Sequence, residues 1–127
     1  MSEIRATTIS DTAGTGPITL TKQSAAKAWI NFNGTGTVAI RKSVNHSSLT
    51  DHGTGDYSVN FSSAFSDANH ASVGSTQGSG IGGVPIVAVN QALLQTTTSV
   101  RLYANIGSSA TATDLPYIGL VTHGDLA

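Results

Sequence analysis

The chain has no cysteine among its 127 residues, which excludes disulfides and thiolate metal sites. Charge is scarce as well: Asp, Glu, Lys and Arg make up 10% of the residues, and the formal net charge is −1. The 6 Lys and Arg are scattered rather than clustered, so the sequence carries no electrostatic footprint for nucleic acid or an anionic membrane. No run approaches the ~18 consecutive apolar residues of a membrane-spanning helix. The opening MSEIRATTIS lacks the apolar segment of a secretory signal, so the expectation is synthesis in the cytoplasm. With so little charge, sheet edges have few of the lysines that normally guard them. A protein that pairs or covers its edges by self-assembly escapes that liability.

What the chain has instead is Ser and Thr, together about a quarter of its residues, well above ordinary usage. It also has 14 Gly. Apolar side chains alternate in three bursts: Ala28, Ile30 and Phe32; Val38 and Ile40, with Val44 further on; and Tyr57, Val59 and Phe61. Period-2 alternation marks strands with one buried face. Between the bursts lie Asn33-Gly34-Thr35-Gly36 and Asp51-His52-Gly53-Thr54-Gly55-Asp56, where glycine supplies the backbone freedom of tight turns. Residues 27–61 therefore read as an antiparallel β-meander onto which other strands pack. Gly-Thr-Gly recurs at Gly14, Gly34 and Gly53, which reads as a recurrent turn rather than a structural repeat.

Residues 1–24 read as an N-terminal arm with short edge strands at 4–9 and 18–20. Residues 25–127 read as the folded domain. Within it, 62–70 is a polar loop anchored by Phe65, 71–73 a short strand, and 74–83 a flexible glycine-rich run. Strands are expected at 84–90, 99–105 and 116–123, with a small-residue loop at 106–114. No segment sustains a 3.6-residue apolar period, and about eight short strands with glycine turns predict an antiparallel β-sandwich or jelly-roll-like domain.

Three motifs in this block carry a resemblance: Lys-Ala-Trp at 27–29, Asn-Phe-Asn-Gly-Thr-Gly at 31–36, and Asp-x-Gly-x-Gly-x-Tyr-x-Val-x-Phe at 51–61. Together they resemble a module found in tail fibre, spike and other virion proteins of tailed bacteriophages. Where that family continues with an apolar residue and then Asn-Tyr, this chain has Phe65 and Asn69-His70. The resemblance implies a non-enzymatic structural protein of the virion, a homotrimer that contacts other tail or capsid proteins. It further implies a place on the particle exterior, touching host surface glycan or protein. Capsid decoration is the alternative within that class, and a carbohydrate-binding module the alternative outside it. The arm is then the candidate for attachment, and the loops at 62–70 and 74–83 the candidates for outward contact.

No constellation points to an enzyme. Gly78-Ser79-Gly80-Ile81-Gly82-Gly83 fits the dinucleotide fingerprint in letters, but β-branched residues follow where that motif needs a helix. The histidines at 46, 52, 70 and 123 lack the spacing of a zinc site, so neither metal nor cofactor is expected. No serine sits in a G-x-S-x-G elbow. Most acids, such as Asp11, Asp51, Asp56 and Asp67, fall in turns, where they bond nearby backbone amides. Candidate interface or receptor contacts are Trp29, Tyr57, Tyr103, Phe65 and His70. The single tryptophan could serve as a sugar platform or a subunit anchor, but a core or rim residue of the sandwich is the favoured reading.

Overall fold

The structure, a computed structural model, describes residues 25–77, 85–89, 95–107 and 111–127. The expected arm, the Gly14 turn, the 78–83 stretch and the centre of the 106–114 loop lie outside the described residues. Among the described residues nine strands follow in order: β1 (Ala28–Asn33), β2 (Ala39–Val44), β3 (His46–Gly53), β4 (Asp56–Phe61), β5 (Ala71–Gln77), β6 (Pro85–Val89), β7 (Ser99–Ile106), β8 (Thr111–Ala112) and β9 (Tyr117–His123). They form two antiparallel sheets packed face to face, the all-β class read from the sequence. Sheet A has the order β2-β1-β9-β5, and sheet B the order β3-β4-β7-β6 with β8 also on β7.

Alternation sorts the faces. Ala28, Ile30 and Phe32 of β1 and Ile118 and Leu120 of β9 point inward from sheet A. Tyr57, Val59 and Phe61 of β4 and Val100, Leu102 and Ala104 of β7 meet them from sheet B. Phe32 and Tyr57 touch edge to face across the gap, with ring centroids 5.2 Å apart, a preferred aromatic geometry.

The expected meander is divided between the sheets. β1 pairs with β2 and β3 pairs with β4, but β2 and β3 lie in different sheets. The crossing falls at Asn45, whose φ of 57° is a left-handed conformation that asparagine tolerates better than most side chains. Its side chain fixes the crossing: Nδ2 donates to Ser63 O (3.1 Å), and Oδ1 accepts from Ser63 N (2.7 Å). Strand β3 was unread because HSSLTDHG has no apolar alternation; only Leu49 packs against the core. Strand β5 runs to Gln77, through part of the expected glycine-rich loop. Gly74 there lets two sheet edges meet, since a Cβ on it would lie 2.5 Å from Val87 Cγ1 of β6.

One buried group joins both sheets to the turns at this end. Tyr57, fully buried on β4, directs its hydroxyl at Asp114 Oδ1 (2.7 Å) and the Gly34 carbonyl (3.0 Å). Asp114 Oδ1 also accepts from Gly55 N at 2.8 Å. Gly55 has a φ of 68° and stands against Ala104 O and Thr113 N, leaving no room for a side chain. Gly34 N in turn donates to Leu115 O at 2.9 Å. The hydroxyl is held protonated, its pKa raised by burial first and by the Asp114 bond second. The Tyr57→Phe variant is expected to lose roughly 1–3 kcal/mol of unfolding free energy in urea, because the Gly34 carbonyl is left without that donor. A loss indistinguishable from zero would mean the junction is held by the backbone alone.

Candidate functional site

The two flanks of the sandwich differ. At the β5–β6 flank the sheets press together, as the Gly74–Val87 contact shows. At the β2–β3 flank they scarcely touch, and five of the six β2 residues are exposed. Ile40 is 38% and Val44 48% exposed, while Val38 and Leu49 are only partly covered by the core. Among the described residues β2 and β3 are both edge strands, so this flank combines uncovered apolar side chains with backbone edges that no described strand pairs. The second apolar burst of the sequence thus forms a strand as expected, yet its side chains are left largely uncovered.

The outer face of sheet A holds a second surface. Cross-strand register places Val44, Trp29, Val121 and Val73 in one row spanning β2, β1, β9 and β5. Beside this row, Asn31, Ser75, Thr76, Gln77, Tyr117 and Gly119 line a shallow depression of about 180 Å³. Gly119 forms its floor because it has no side chain, and Asn31 and Ser75 stand opposite it on the neighbouring strands. A β-bulge on β2 shapes the rim: Asn31 pairs with Lys42 and Phe32 with Ile40, leaving Arg41 as the extra residue. The bulge turns consecutive cations to one face. Lys42 sits opposite Asn31, and Arg41 reaches across β1 to place its Cζ 4.3 Å from the Tyr117 ring centroid. The four strands of sheet A contain no Asp or Glu.

Sheet B presents paired groups on its outer face. Arg101 grips Asp56 through two bonds, Nε to Oδ1 at 2.7 Å and Nη2 to Oδ2 at 2.6 Å. His52 Nε2 and Ser58 Oγ lie 2.9 Å apart across the β3–β4 hairpin. Both side chains are on an open surface, and among the described residues no carboxylate is bonded to the other ring nitrogen of His52, as a Ser-His nucleophile would require. No group of three His, Cys, Asp or Glu side chains converges among the described residues. No described helix is long and apolar enough to cross a membrane.

The five candidate contact residues separate into two sets. Trp29 is half-buried in the outer row of sheet A, and Tyr103 is 37% exposed on sheet B. Tyr57, Phe65 and His70 are buried in the interior and have no surface to offer a partner. Phe65 anchors its loop as read from the sequence, stacking edge to face on Phe61 at 4.8 Å. His70 lies against Phe65 at 4.6 Å, with Nε2 donating to the Thr96 carbonyl at 2.9 Å. Tyr117, Gly119 and Arg41 were not singled out, because only strand register reveals that they share a face. The alternation of residues 117–122 alone could have placed Tyr117 outward.

No protein-family model, curated protein or solved structure matches this chain.

Two groups make stability depend on pH. Burial pushes the His46 imidazole below the ordinary histidine value, and the backbone of Asn60 offsets this only in part. Neither ring nitrogen of His46 has a partner at hydrogen-bonding distance. The unfolded chain therefore takes up a proton near pH ~6.5 that the folded chain resists, and stability falls as pH drops through that value. Asp56 is held below the usual carboxylate range, first by its bond from Arg101, so its contribution is present at neutral pH and lost at more acid pH. In urea titrations the His46→Phe variant is expected to flatten the decline between pH about 7 and about 5 and leave the more acid one intact. An unchanged slope would assign that titration to another group.

Proposed function

We propose that this protein is a non-enzymatic structural module of a tailed-bacteriophage particle, a homotrimer on the particle exterior that takes part in host attachment. The observation that carries the reading is the open β2–β3 flank, where Ile40 on the inner side of β2 and Val44 on its outer side stand uncovered on a strand that is an edge among the described residues. Exposed apolar side chains on edge strands are what assembly buries. The phage-module resemblance supports the same reading from the sequence, since its motifs make up β1, the β1–β2 turn and the β3–β4 hairpin.

Two measurements test this. Light scattering of the purified full chain should give three times the single-chain mass. Ile40→Asp combined with Val44→Asp should return the mass to that of one chain while far-UV circular dichroism stays unchanged. A single-chain mass for the unsubstituted protein, or an oligomer indifferent to both substitutions, sinks the flank assignment. Quantitative mass spectrometry of purified particles decides the setting. A few to a few dozen copies fit a fibre or spike, hundreds fit capsid decoration instead, and none removes the virion role.

A further inference from the structure

We infer that the depression on the outer face of sheet A binds a carboxylate-bearing sugar unit, of the uronic- or sialic-acid class, with Arg41 and Lys42 meeting its acid group. The inference rests on the proposed exterior role for the source of the glycan, but the site is argued from its own chemistry. Its volume of about 180 Å³ is below the ~300 Å³ of pockets that enclose a whole small ligand, so it suits one unit of a longer chain. Its lining is amide, hydroxyl and phenol from Asn31, Gln77, Ser75 and Tyr117, the donors and acceptors that sugar hydroxyls match. The row of Trp29, Val121 and Val73 runs along one side as an apolar wall for the C–H faces of a sugar ring.

Charge narrows the class. Arg41 and Lys42 project onto this face with no carboxylate in ion-pair contact among the described residues, in contrast to Arg101, which is bound to Asp56. Arg41 is already oriented by its stacking on Tyr117, and Tyr117 lines the depression. A guanidinium fixed on an aromatic ring keeps its N–H groups for a planar acceptor, and a carboxylate fits that fork. A peptide is a poorer occupant, because a β-strand binds along a sheet edge. The floor here belongs to β1, β9 and β5, where β1 and β9 are paired on both sides.

The test is an amide chemical-shift titration of the purified full chain with sialyllactose and trigalacturonate, against lactose and galactotriose as matched neutral probes and inorganic phosphate as an anion probe. The expected result is saturable shifts at Asn31, Ser75, Gln77 and Gly119 with both acidic probes, Kd on the order of 1 mM, weakening with added salt. Arg41→Gln should weaken binding about tenfold, the effect of one charge-assisted contact. Gly119→Leu should abolish it by filling the floor, since a Cβ there already points to within 2.5 Å of Ser75 Oγ. Unperturbed resonances elsewhere establish that each variant is folded, and if Gly119→Leu does not fold, Arg41→Gln decides. Equal response to the neutral probes, the same shifts with phosphate alone, no saturable shift with either acidic probe, or indifference to Arg41→Gln each overturns the inference. None of these results depends on particles, so absence from virions would remove the proposed role while the titration still decides the sugar site.

Discussion

The fold depends on keeping a phenol hydroxyl satisfied in a dry interior. Tyr57 is fully buried, and its oxygen is aimed at an aspartate from the β8–β9 connection and a carbonyl from the β1–β2 turn. Leaving such a group without partners would cost more than the bond itself returns. The position of Tyr57 therefore dictates where three separated segments lie. Gly55, Gly34 and Asp114 follow from it: two residues that add no bulk where backbones converge and one acceptor able to serve both a hydroxyl and an amide. The rest of the core is ordinary apolar packing, which tolerates exchange of similar volumes. This polar junction does not.

The two flanks differ in side-chain bulk. Sheet A and sheet B close tightly where β5 and β6 meet, because Gly74 removes the bulk that would hold them apart. They part at β2 and β3, where neither strand offers a large inward side chain that is fully covered. The molecule is thus finished on one side and open on the other. The two proposals follow that division: another copy of the chain at the open flank, and a ligand on the outer face of sheet A.

Much of the architecture was legible. The alternation at residues 28–32 and 57–61 marks the inward faces of β1 and β4, and β7 forms where a strand is expected at 99–105. The loop anchor Phe65 was legible too, as an isolated aromatic in a polar run. Sheet membership was not. Two hairpins joined by one residue look alike whether the chain continues in the same sheet or crosses to another, and Asn45 gives no sign in its letter of the conformation it adopts. β3 has no alternation to read because Leu49 is the one apolar side chain in HSSLTDHG. The depression was illegible for a related reason. Its residues come from β1, β5 and β9, and the rim cation Arg41 is aimed by a bulge that depends on pairing rather than on sequence. The alternation marks Tyr57 as inward-facing, and its full burial leaves this candidate contact residue no surface to offer a partner.

The order of strands in sheet A carries a consequence for how the protein is made. β9 lies between β1 and β5, so the central place in that sheet is filled by residues 117–123. Until His123 has emerged from the ribosome, β1 and β5 have no neighbour in common, and the apolar inner face of β1 has only half its sheet. At ~5–20 residues per second, the roughly ninety residues from β1 to β9 keep that face waiting for several seconds. Sheet B, by contrast, has its β3–β4 hairpin early and gains β7 before β9 appears. In that interval all the described strands of sheet B have been made while the central strand of sheet A has not, so the apolar inner face of β1 is left with β2 alone beside it.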